Sequence, residues 1–106
     1  MSRPPKASGI IKIVSAAAQS GKVLYSGHAN ERMKQRGIIK PEVEYVLKNG
    51  HHEPRKDTFN EKEKAWDYSI RGKTVDKRNL RIIVAVVSPG VFVITTIDLD
   101  KEDERV

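Results

Sequence analysis

The spacing of apolar residues changes near Gly50, from the helical period of about 3.6 residues to the strand period of about 2. Before this point the pattern predicts three amphipathic helices, each burying one stripe. Capping and breaking residues are expected to mark the helix ends, in chain order: Ser8 and Ser20-Gly21, Ser26 and Gly37, Pro41 and Asn49-Gly50. Residues 23–25 are expected to form a short extended bridge.

After Gly50 the pattern predicts strands. Residues 51–59 are a weak, polar candidate, residues 66–71 alternate as a half-buried strand does, and residues 91–97 are the last candidate. Residues 80–87 are apolar on both faces except at Arg81, so this strand should be central. Helices followed by strands indicate an α+β fold, with N-terminal helices packed on one face of a twisted antiparallel sheet of about four strands.

The length of the chain limits its domain organisation. A chain of 106 residues is long enough for one small domain but not for two. Residues 1–7, with two prolines and two basic residues, are expected to be a mobile arm. Residues 8–97 are expected to form a single α+β domain, and residues 98–106 an acidic tail that frays.

The basic residues are concentrated at the front of the chain, whose formal net charge is +6. Residues 1–40 carry eight Lys and Arg against one acid, whereas residues 41–106 carry twelve against thirteen acids. This asymmetry favours a polyanionic partner, nucleic acid first. A basic surface without a specific partner fits the charge equally well.

The absence of certain residue types and segments excludes several classes of protein. The chain contains no cysteine, which excludes disulfides, a cysteine nucleophile and thiolate zinc sites. No apolar run approaches the ~20 residues that a membrane-spanning helix needs, and residues 1–6 lack the apolar segment of a signal peptide. We therefore expect a cytoplasmic protein with no membrane partner and no cofactor.

The most informative motif is His28-x-x-x-Arg32-x-x-x-Arg36 in the second predicted helix. Residues spaced by four lie on one face of a helix, so these side chains should share a surface that we call the His/Arg stripe. Two guanidinium groups suit a phosphate or a carboxylate, and a histidine can transfer protons near neutral pH. The stripe is a candidate phosphodiester-handling face; the alternative is a solvated face whose arginines pair with Glu42, Glu44 or the acidic tail.

A second basic cluster lies between residues 71 and 79, which include four bases: Arg71, Lys73, Lys77 and Arg78. This connection can follow a phosphate backbone or be an ordinary charged loop. Arg81 interrupts an otherwise apolar strand, and an unpaired buried charge is costly. It therefore needs either a structural partner such as Asp67 or a bound anion, and the sequence favours neither.

Two further patterns are weaker. His51-His52-Glu53 contains metal-ligating residue types, but adjacent strand residues point to opposite faces and no third ligand stands at a diagnostic spacing. We therefore expect no metal site. Trp66 and Tyr68 can stack on bases, although aromatic residues at strand spacing more often belong to the core.

Several segments form a joint pattern: His28-Ala29-x-x-Arg32-Met33-x-x-Arg36-Gly37-Ile38, residues 43–47, Tyr68-x-x-Arg71-Gly72, residues 80–86 and Val93-Ile94-Thr95. Together they resemble domain-of-unknown-function family 4258, over roughly residues 25–97. The resemblance implies a place near the RelE/BrnT-like toxins, in the broader group with barnase-like and EndoU-like ribonucleases. It thereby implies a RelE/barnase-like fold and a ribonuclease toxin of a toxin–antitoxin pair.

Metal-free cleavage of RNA drives the 2′-hydroxyl against the adjacent phosphorus, which requires a base, an acid and cations around the phosphate. We expect His28 to transfer protons, Arg32 and Arg36 to clamp the phosphate, the strand arginines to complete the anion site, and Tyr68 to stack on a base or donate a second proton. The expected catalytic residues are His28, Arg32, Arg36, Arg81 and Tyr68, and the expected RNA-binding residues are Lys34, Arg71, Lys73, Lys77 and Arg78.

Three functions fit these observations. The first is a metal-independent ribonuclease toxin of the mRNA interferase kind. The second is a non-catalytic nucleic-acid or ribosome-binding module that uses the same basic face. The third is a protein-interaction module whose arginines pair with acidic groups. The partners expected for the first are RNA, including mRNA on the ribosome, and a cognate antitoxin protein.

Overall fold

The computed structural model describes residues 3–101 and has an α+β architecture, with three α-helices and one sheet of six strands. The helices are α1 (Ile10–Gln19), α2 (Gly27–Arg36) and α3 (Lys40–Asn49). The strands are β1 (Val23–Tyr25), β2 (His51–His52), β3 (Thr58–Asn60), β4 (Ala65–Lys73), β5 (Asn79–Val87) and β6 (Gly90–Asp98). None of the helices in this part of the chain is long and apolar enough to cross a membrane.

The strand order is β1-β6-β5-β4-β2, with β3 also paired to β4, so β5 is central as its apolar pattern predicts. Neighbouring strands are antiparallel except β1 and β6, which are parallel. The expectation of about four antiparallel strands is therefore corrected to six strands with one parallel edge. The polar candidate at 51–59 divides into β2 and β3, of 2 and 3 residues, around a 3-10 turn at Pro54–Lys56, and such short strands show too little alternation to be recognised.

The ends of α2 follow the local chemistry of the sequence. Ser26 is the N-cap, and its Oγ accepts a hydrogen bond from the N–H of Ala29 at 2.9 Å. Gly37 ends the helix with a left-handed backbone, φ 65°, which favours glycine. The start of α1 differs from the expectation, because Gly9 rather than Ser8 occupies the N-cap position.

The three helices and the sheet bury a shared apolar core. Alternate positions of the central strand β5 face the helices, and three of them are fully buried: Leu80, Ile82 and Val84. The helices contribute Val14 from α1, Met33 from α2 and Leu47 from α3. Full burial of such a side chain contributes about 1.5–3 kcal/mol, so this layer provides most of the stability. Side chains at the remaining β5 positions, Arg81 among them, lie on the face of the sheet that points away from this core.

Residues near both ends of the described chain contact the sheet. The indole Nε1 of Trp66 donates to the carbonyl oxygen of Pro4 at 2.8 Å, and Lys6 Nζ lies 3.0 Å from Asp57 Oδ2. The mobility expected for residues 1–7 stays a prediction, but residues 3–7 lie against β3 and β4. At the other end, β6 extends to the buried Asp98, so the folded domain passes the boundary expected at residue 97. Residues 1–2 and 102–106 lie outside the described chain.

Gly50, which joins α3 to β2, has no room for a side chain. A Cβ atom on it would lie 2.5 Å from the carbonyl oxygen of Arg71 and 2.6 Å from that of Val46. We expect Gly50→Ala to lower the free energy of unfolding by about 2 kcal/mol, because backbone atoms must shift to accept the methyl group. Denaturant unfolding measures this change, with the exposed Lys48→Ala as a control. Equal midpoints for the two variants would contradict so close an approach.

Candidate functional site

Two adjoining pockets lie where β2 meets the ends of β4 and β5, and His51 and Arg71 line both of them. The first pocket, which Glu53 and Arg81 also line, has a volume of about 440 Å³. The second, which Asn49 and Asn79 also line, has a volume of about 520 Å³. Together they form what we call the strand-edge groove. Seven histidine, lysine and arginine residues line it: His51, His52, Arg55, Lys56, Arg71, Lys73 and Arg81. The only carboxylate among the lining residues is Glu53, so the groove favours an anion.

The register of the sheet determines which face carries these charges. His51 lies opposite Arg71 in the β2–β4 pair, and Arg71 lies opposite Arg81 in the β4–β5 pair. Because Arg81 alternates with the core residues Leu80 and Ile82, it lies on the face away from the helices, and residues directly opposite one another share a face. His51 and the two arginines are therefore neighbours on the open face of the sheet.

The carboxylate of Glu53 connects the two strand arginines. Its Oε1 accepts hydrogen bonds from Nε of Arg81 at 2.8 Å and from Oγ of Ser69 at 3.0 Å, while its Oε2 lies 3.6 Å from a guanidinium nitrogen of Arg71. Like charges directly opposite on neighbouring strands repel, and a carboxylate between them offsets that repulsion. Arg81 thus has an acid partner, as one of the two sequence interpretations requires, but the acid is Glu53 rather than Asp67.

The two arginines differ in how far a ligand can reach them. The side chain of Arg81 is 6% exposed and is bound to Glu53 within the protein. The side chain of Arg71 is 43% exposed, and its contact with the same carboxylate is longer. Of the two arginines, Arg71 is therefore the one that a ligand can reach, while Arg81 positions Glu53.

The surroundings of Glu53 lower its pKa. Burial acts in the opposite direction and raises the pKa, but hydrogen bonds from Arg81 and Ser69 and the positive charges of Arg81 and Arg71 outweigh it. The net result is a pKa of Glu53 below the ordinary value of 4.5. The carboxylate is thus ionised at neutral pH and stabilises the folded state in that form.

The lowered pKa of Glu53 predicts how the stability of the folded protein changes at acid pH. A carboxyl group with a lowered folded-state pKa contributes stability above its unfolded pKa, and this stability is lost as the pH falls through the folded value. We expect the melting temperature to fall as the pH drops below 4.5, and to fall less steeply in Glu53→Gln. Thermal melts from pH 7 to pH ~3 measure both slopes. Parallel slopes for the two proteins would show that Glu53 is not linked to folding.

The two histidines of β2 have different surroundings. Nε2 of His52 lies 2.8 Å from Oδ2 of the fully buried Asp57 side chain, and the His52 ring packs edge-on against Tyr68 with centroids 5.7 Å apart. Asp57 Oδ1 also accepts the N–H of Ser69 at 2.9 Å. The side chain of His51, by contrast, is exposed and makes no hydrogen bond within residues 3–101. His51 is therefore the imidazole that a ligand in the groove can meet.

The His/Arg stripe is present on α2, but it does not adjoin the strand-edge groove. His28 is exposed, and Arg32 and Arg36 are half-buried. α2 packs mainly on β6, and none of its residues lines either pocket of the groove. The expected site, in which Arg71 or Arg81 completes the stripe, is therefore not formed. The reason is the alternation of β5, which directs Arg81 away from the helix layer and toward Glu53.

The sequence predicts that Arg78 contacts RNA, but in the structure its side chain is bound to groups of the protein. Its guanidinium donates to the carbonyl oxygens of Arg36 and Gly37 at 2.8 and 3.0 Å and to Asp98 Oδ2 at 2.7 Å. These groups, the Asp98 hydrogen bond first, raise its pKa above the ordinary value. Arg78 thus joins the C-terminus of α2 to the end of β6, because the last carbonyls of a helix favour a cation.

The remaining RNA-binding candidates lie at different places on the surface. Lys34 is exposed on α2, Lys73 is exposed at the end of β4, and Lys77 is exposed in the turn between β4 and β5. Of these three, only Lys73 lines the groove. The structure therefore brings together two of the predicted RNA-binding residues, Arg71 and Lys73, with the predicted catalytic residue Arg81.

Tyr68 is part of the core rather than the groove. Its side chain is 4% exposed, and its hydroxyl accepts the N–H of Ala7 at 2.9 Å. Trp66 is half-buried, with Lys6 Nζ 4.8 Å from its ring centroid and Phe59 packed edge-on against it. Stacking on a base would therefore require these contacts to open, and Tyr68 does not stand beside the other predicted catalytic residues.

The sequence pattern of residues 51–56 suggests no functional role other than a metal site, so it does not predict that this segment lines the groove. Within residues 3–101, no three His, Asp or Glu side chains come together as metal ligands. One signal could have identified the segment: Arg81 needs an acid, and Glu53 is an acid next to the turn at Pro54 in an otherwise basic stretch. What the sequence does not give is the β2–β4 pairing that brings the two residues together.

Comparison with known proteins gives one match. The family described as “Domain of unknown function (DUF4258)” matches residues 25–98, which include α2, α3, the strands β2 to β6 and the last residue of β1. All the residues that line the strand-edge groove lie in this matched region, whereas α1 precedes it. No curated protein and no solved structure matches the chain.

Proposed function

Since the chain belongs to the family described as a domain of unknown function, DUF4258, we propose its function from the site itself: it binds RNA in the strand-edge groove and cleaves it with its own side chains. One observation carries this proposal. The accessible guanidinium of Arg71 and the exposed imidazole of His51 lie side by side in a pocket of about 440 Å³. An imidazole beside a cation suits proton transfer at a phosphate.

The proposed chemistry is attack of the 2′-oxygen on the neighbouring phosphorus, which breaks the bond from phosphorus to the 5′-oxygen. His51 accepts the proton that the 2′-hydroxyl loses, and water protonates the leaving 5′-oxygen. Arg71 stabilises the negative charge that accumulates on the phosphate oxygens. The products are one fragment with a 2′,3′-cyclic phosphate and one with a 5′-hydroxyl.

Glu53 has a positioning role in this scheme rather than that of a base. A carboxylate with a lowered pKa is a weak proton acceptor at neutral pH. By binding Arg81 and contacting Arg71, it holds the guanidinium of Arg71 at the pocket wall. Glu53 thus fixes the orientation of Arg71, as residues packed behind a reacting side chain commonly do.

A cleavage assay tests the proposal directly. The purified protein is incubated with a short fluorescent RNA, and with DNA of the same sequence, in the presence of EDTA. We expect RNA fragments that end in a cyclic phosphate and no cleavage of DNA, which lacks the attacking hydroxyl. His51→Ala should abolish the fragments, while His28→Ala should leave them. Fragments that persist in His51→Ala and disappear in His28→Ala would place the reaction at the His/Arg stripe instead.

Non-catalytic RNA binding is the second candidate, and the ion pair of Glu53 with Arg81 favours it. Because Glu53, the one carboxylate that lines the groove, is bound to Arg81, it is not available to accept a proton from the substrate. The rest of the groove is a positively charged surface suited to phosphates. Both candidates predict binding that weakens with salt, because neutralised phosphates release counterions. Binding without fragments would therefore support this second function.

The finer assignment, a RelE/BrnT-like toxin countered by an antitoxin protein, is also part of the proposal and rests on the family resemblance. We expect induced expression of the chain to stop cell growth and shorten message lifetimes, and His51→Ala to restore growth at equal expression. Growth arrest that persists in His51→Ala would contradict a toxin acting through the groove. A stable protein complex without RNA affinity would instead indicate an interaction module.

A further inference from the structure

The second pocket of the groove has a different chemical character from the first. Its volume is about 520 Å³, and it shares the wall formed by His51 and Arg71. Beyond that wall it is lined by two asparagines, Asn49 and Asn79, and by the exposed Lys73. A ligand whose phosphate contacts Arg71 in the first pocket therefore has a neighbouring space lined by neutral amides.

The orientation of both amides follows from their partners. Nδ2 of Asn49 donates to the carbonyl oxygen of Tyr45 at 3.0 Å, and Nδ2 of Asn79 donates to Oδ1 of Asp100 at 2.8 Å. A carbonyl and a carboxylate accept hydrogen bonds only, so the atom facing each of them must be the amide nitrogen. Each asparagine is thereby left with one N–H and with its Oδ1, an acceptor for which no partner is found within residues 3–101.

We propose that the second pocket holds a nucleobase that carries an exocyclic amino group, next to the phosphate bound at His51 and Arg71. This inference rests on the proposed function, since it requires RNA in the groove. Adenine, cytosine and guanine each offer an amino group as a donor, whereas uracil offers a carbonyl oxygen in the corresponding place. The two Oδ1 atoms present four lone pairs, against the two N–H groups that the engaged nitrogens still have free, so acceptors outnumber donors and a donor such as the amino group is favoured over a carbonyl oxygen.

Lys73 completes the environment of this nucleotide. It is the last residue of β4 and follows Arg71 by two positions. The two cations therefore lie on the same strand, one just before and one just after Gly72 in the sequence. A chain of phosphates can pass from one cation to the next while a base enters the pocket between them. Phosphate contacts give affinity without sequence preference, so the asparagines are the source of discrimination.

Matched oligonucleotides isolate the amino group. Calorimetric titration at one salt concentration compares a cytidine tetramer with a uridine tetramer, and an adenosine tetramer with one of purine riboside, which lacks only the amino group. We expect the amino-bearing member of each pair to bind about fivefold more tightly, as one net hydrogen bond implies. Asn49→Ala should reduce both ratios toward one, while Asn30→Ala on the exposed surface of α2 serves as a matched control.

The outcomes separate this inference from the function beneath it. Equal affinities within both pairs, with binding retained, would overturn the base pocket and leave RNA binding in place. Ratios that are unchanged in Asn49→Ala, or that fall equally in Asn30→Ala, would also overturn it. The loss of all binding in the wild-type protein would instead contradict the proposed function itself.

Discussion

Arg71→Ala is expected to slow RNA cleavage by about 10²–10³-fold, the usual loss when one charge-stabilising group is removed from a transition state. Arg71 is the accessible strand arginine of the first pocket, and the neighbouring Arg81 is bound to Glu53 and cannot replace it. The substitution should leave the fold intact, because an ion pair of a side chain exposed to this degree contributes about 0–1 kcal/mol. Single-turnover cleavage rates and melting curves measured on the same samples distinguish the two effects.

Two variants control for charge and for position. Lys62→Ala removes one positive charge from an exposed turn outside both pockets, and we expect it to cleave at the wild-type rate. Arg71→Lys keeps the charge but loses the planar fork, and an intermediate rate is expected. If Arg71→Ala cleaves as fast as Lys62→Ala, the groove does not hold the reacting phosphate.

Replacing Arg78 by alanine is expected to lower the free energy of unfolding by about 3 kcal/mol, as the loss of one partner from a buried charge pair typically does. Asp98 is 1% exposed and contacts the Arg78 guanidinium at 2.7 Å. The same guanidinium binds the carbonyl oxygens of Arg36 and Gly37, which would lose their donor. The end of α2 and the end of β6 should both loosen, since Arg78 is bonded to both.

Denaturant unfolding measures this effect, and two controls interpret it. Lys77→Ala, a neighbouring exposed cation, should change the free energy of unfolding by less than about 0.5 kcal/mol. Arg78→Lys should recover part of the loss, because one ammonium group can reach the carboxylate but cannot also serve both carbonyls. Equal stabilities for Arg78→Ala and Lys77→Ala would mean that the buried pair does not support the fold.

The elements that the sequence predicted well depend on local chemistry. Ser26 and Gly37 mark the ends of α2 because a hydroxyl beside free N–H groups and a residue tolerant of positive φ act within one helical turn. The central position of β5 followed from a run that is apolar on both faces. In each case the interacting groups lie close together in the chain, so their pattern could be recognised without knowing the fold.

The elements that the sequence did not predict depend on distant partners. The parallel pairing of Val23 with Val91 joins segments far apart in the chain, and three-residue β1 carries no pattern that specifies it. Arg78 and Asp98 were assigned to an RNA-binding loop and a fraying tail, because their charge is visible in the sequence and their mutual contact is not. Charged residues therefore suggested partners outside the protein where the structure shows partners inside it.

The candidate site illustrates the same limit. The His/Arg stripe was recognisable because its residues are spaced by four within one helix. The strand-edge groove combines a two-residue strand, the turn after it and two cross-strand arginines, and only the sheet register brings them together. Glu53 was the one available clue, since an arginine in an apolar strand requires an acid, but several acids in the chain could have met that need.

An NMR titration can locate bound RNA on the surface of the protein and thereby test directly whether the strand-edge groove holds it. The ¹H–¹⁵N correlation spectrum of the labelled protein is recorded with increasing amounts of a short, non-cleavable RNA analogue that has 2′-O-methyl groups. We expect the largest shifts on the backbone amides of His51, Glu53, Arg71 and Lys73, which line the strand-edge groove. Shifts concentrated on residues 27–36 of α2, with the groove amides unchanged, would contradict RNA binding in the groove.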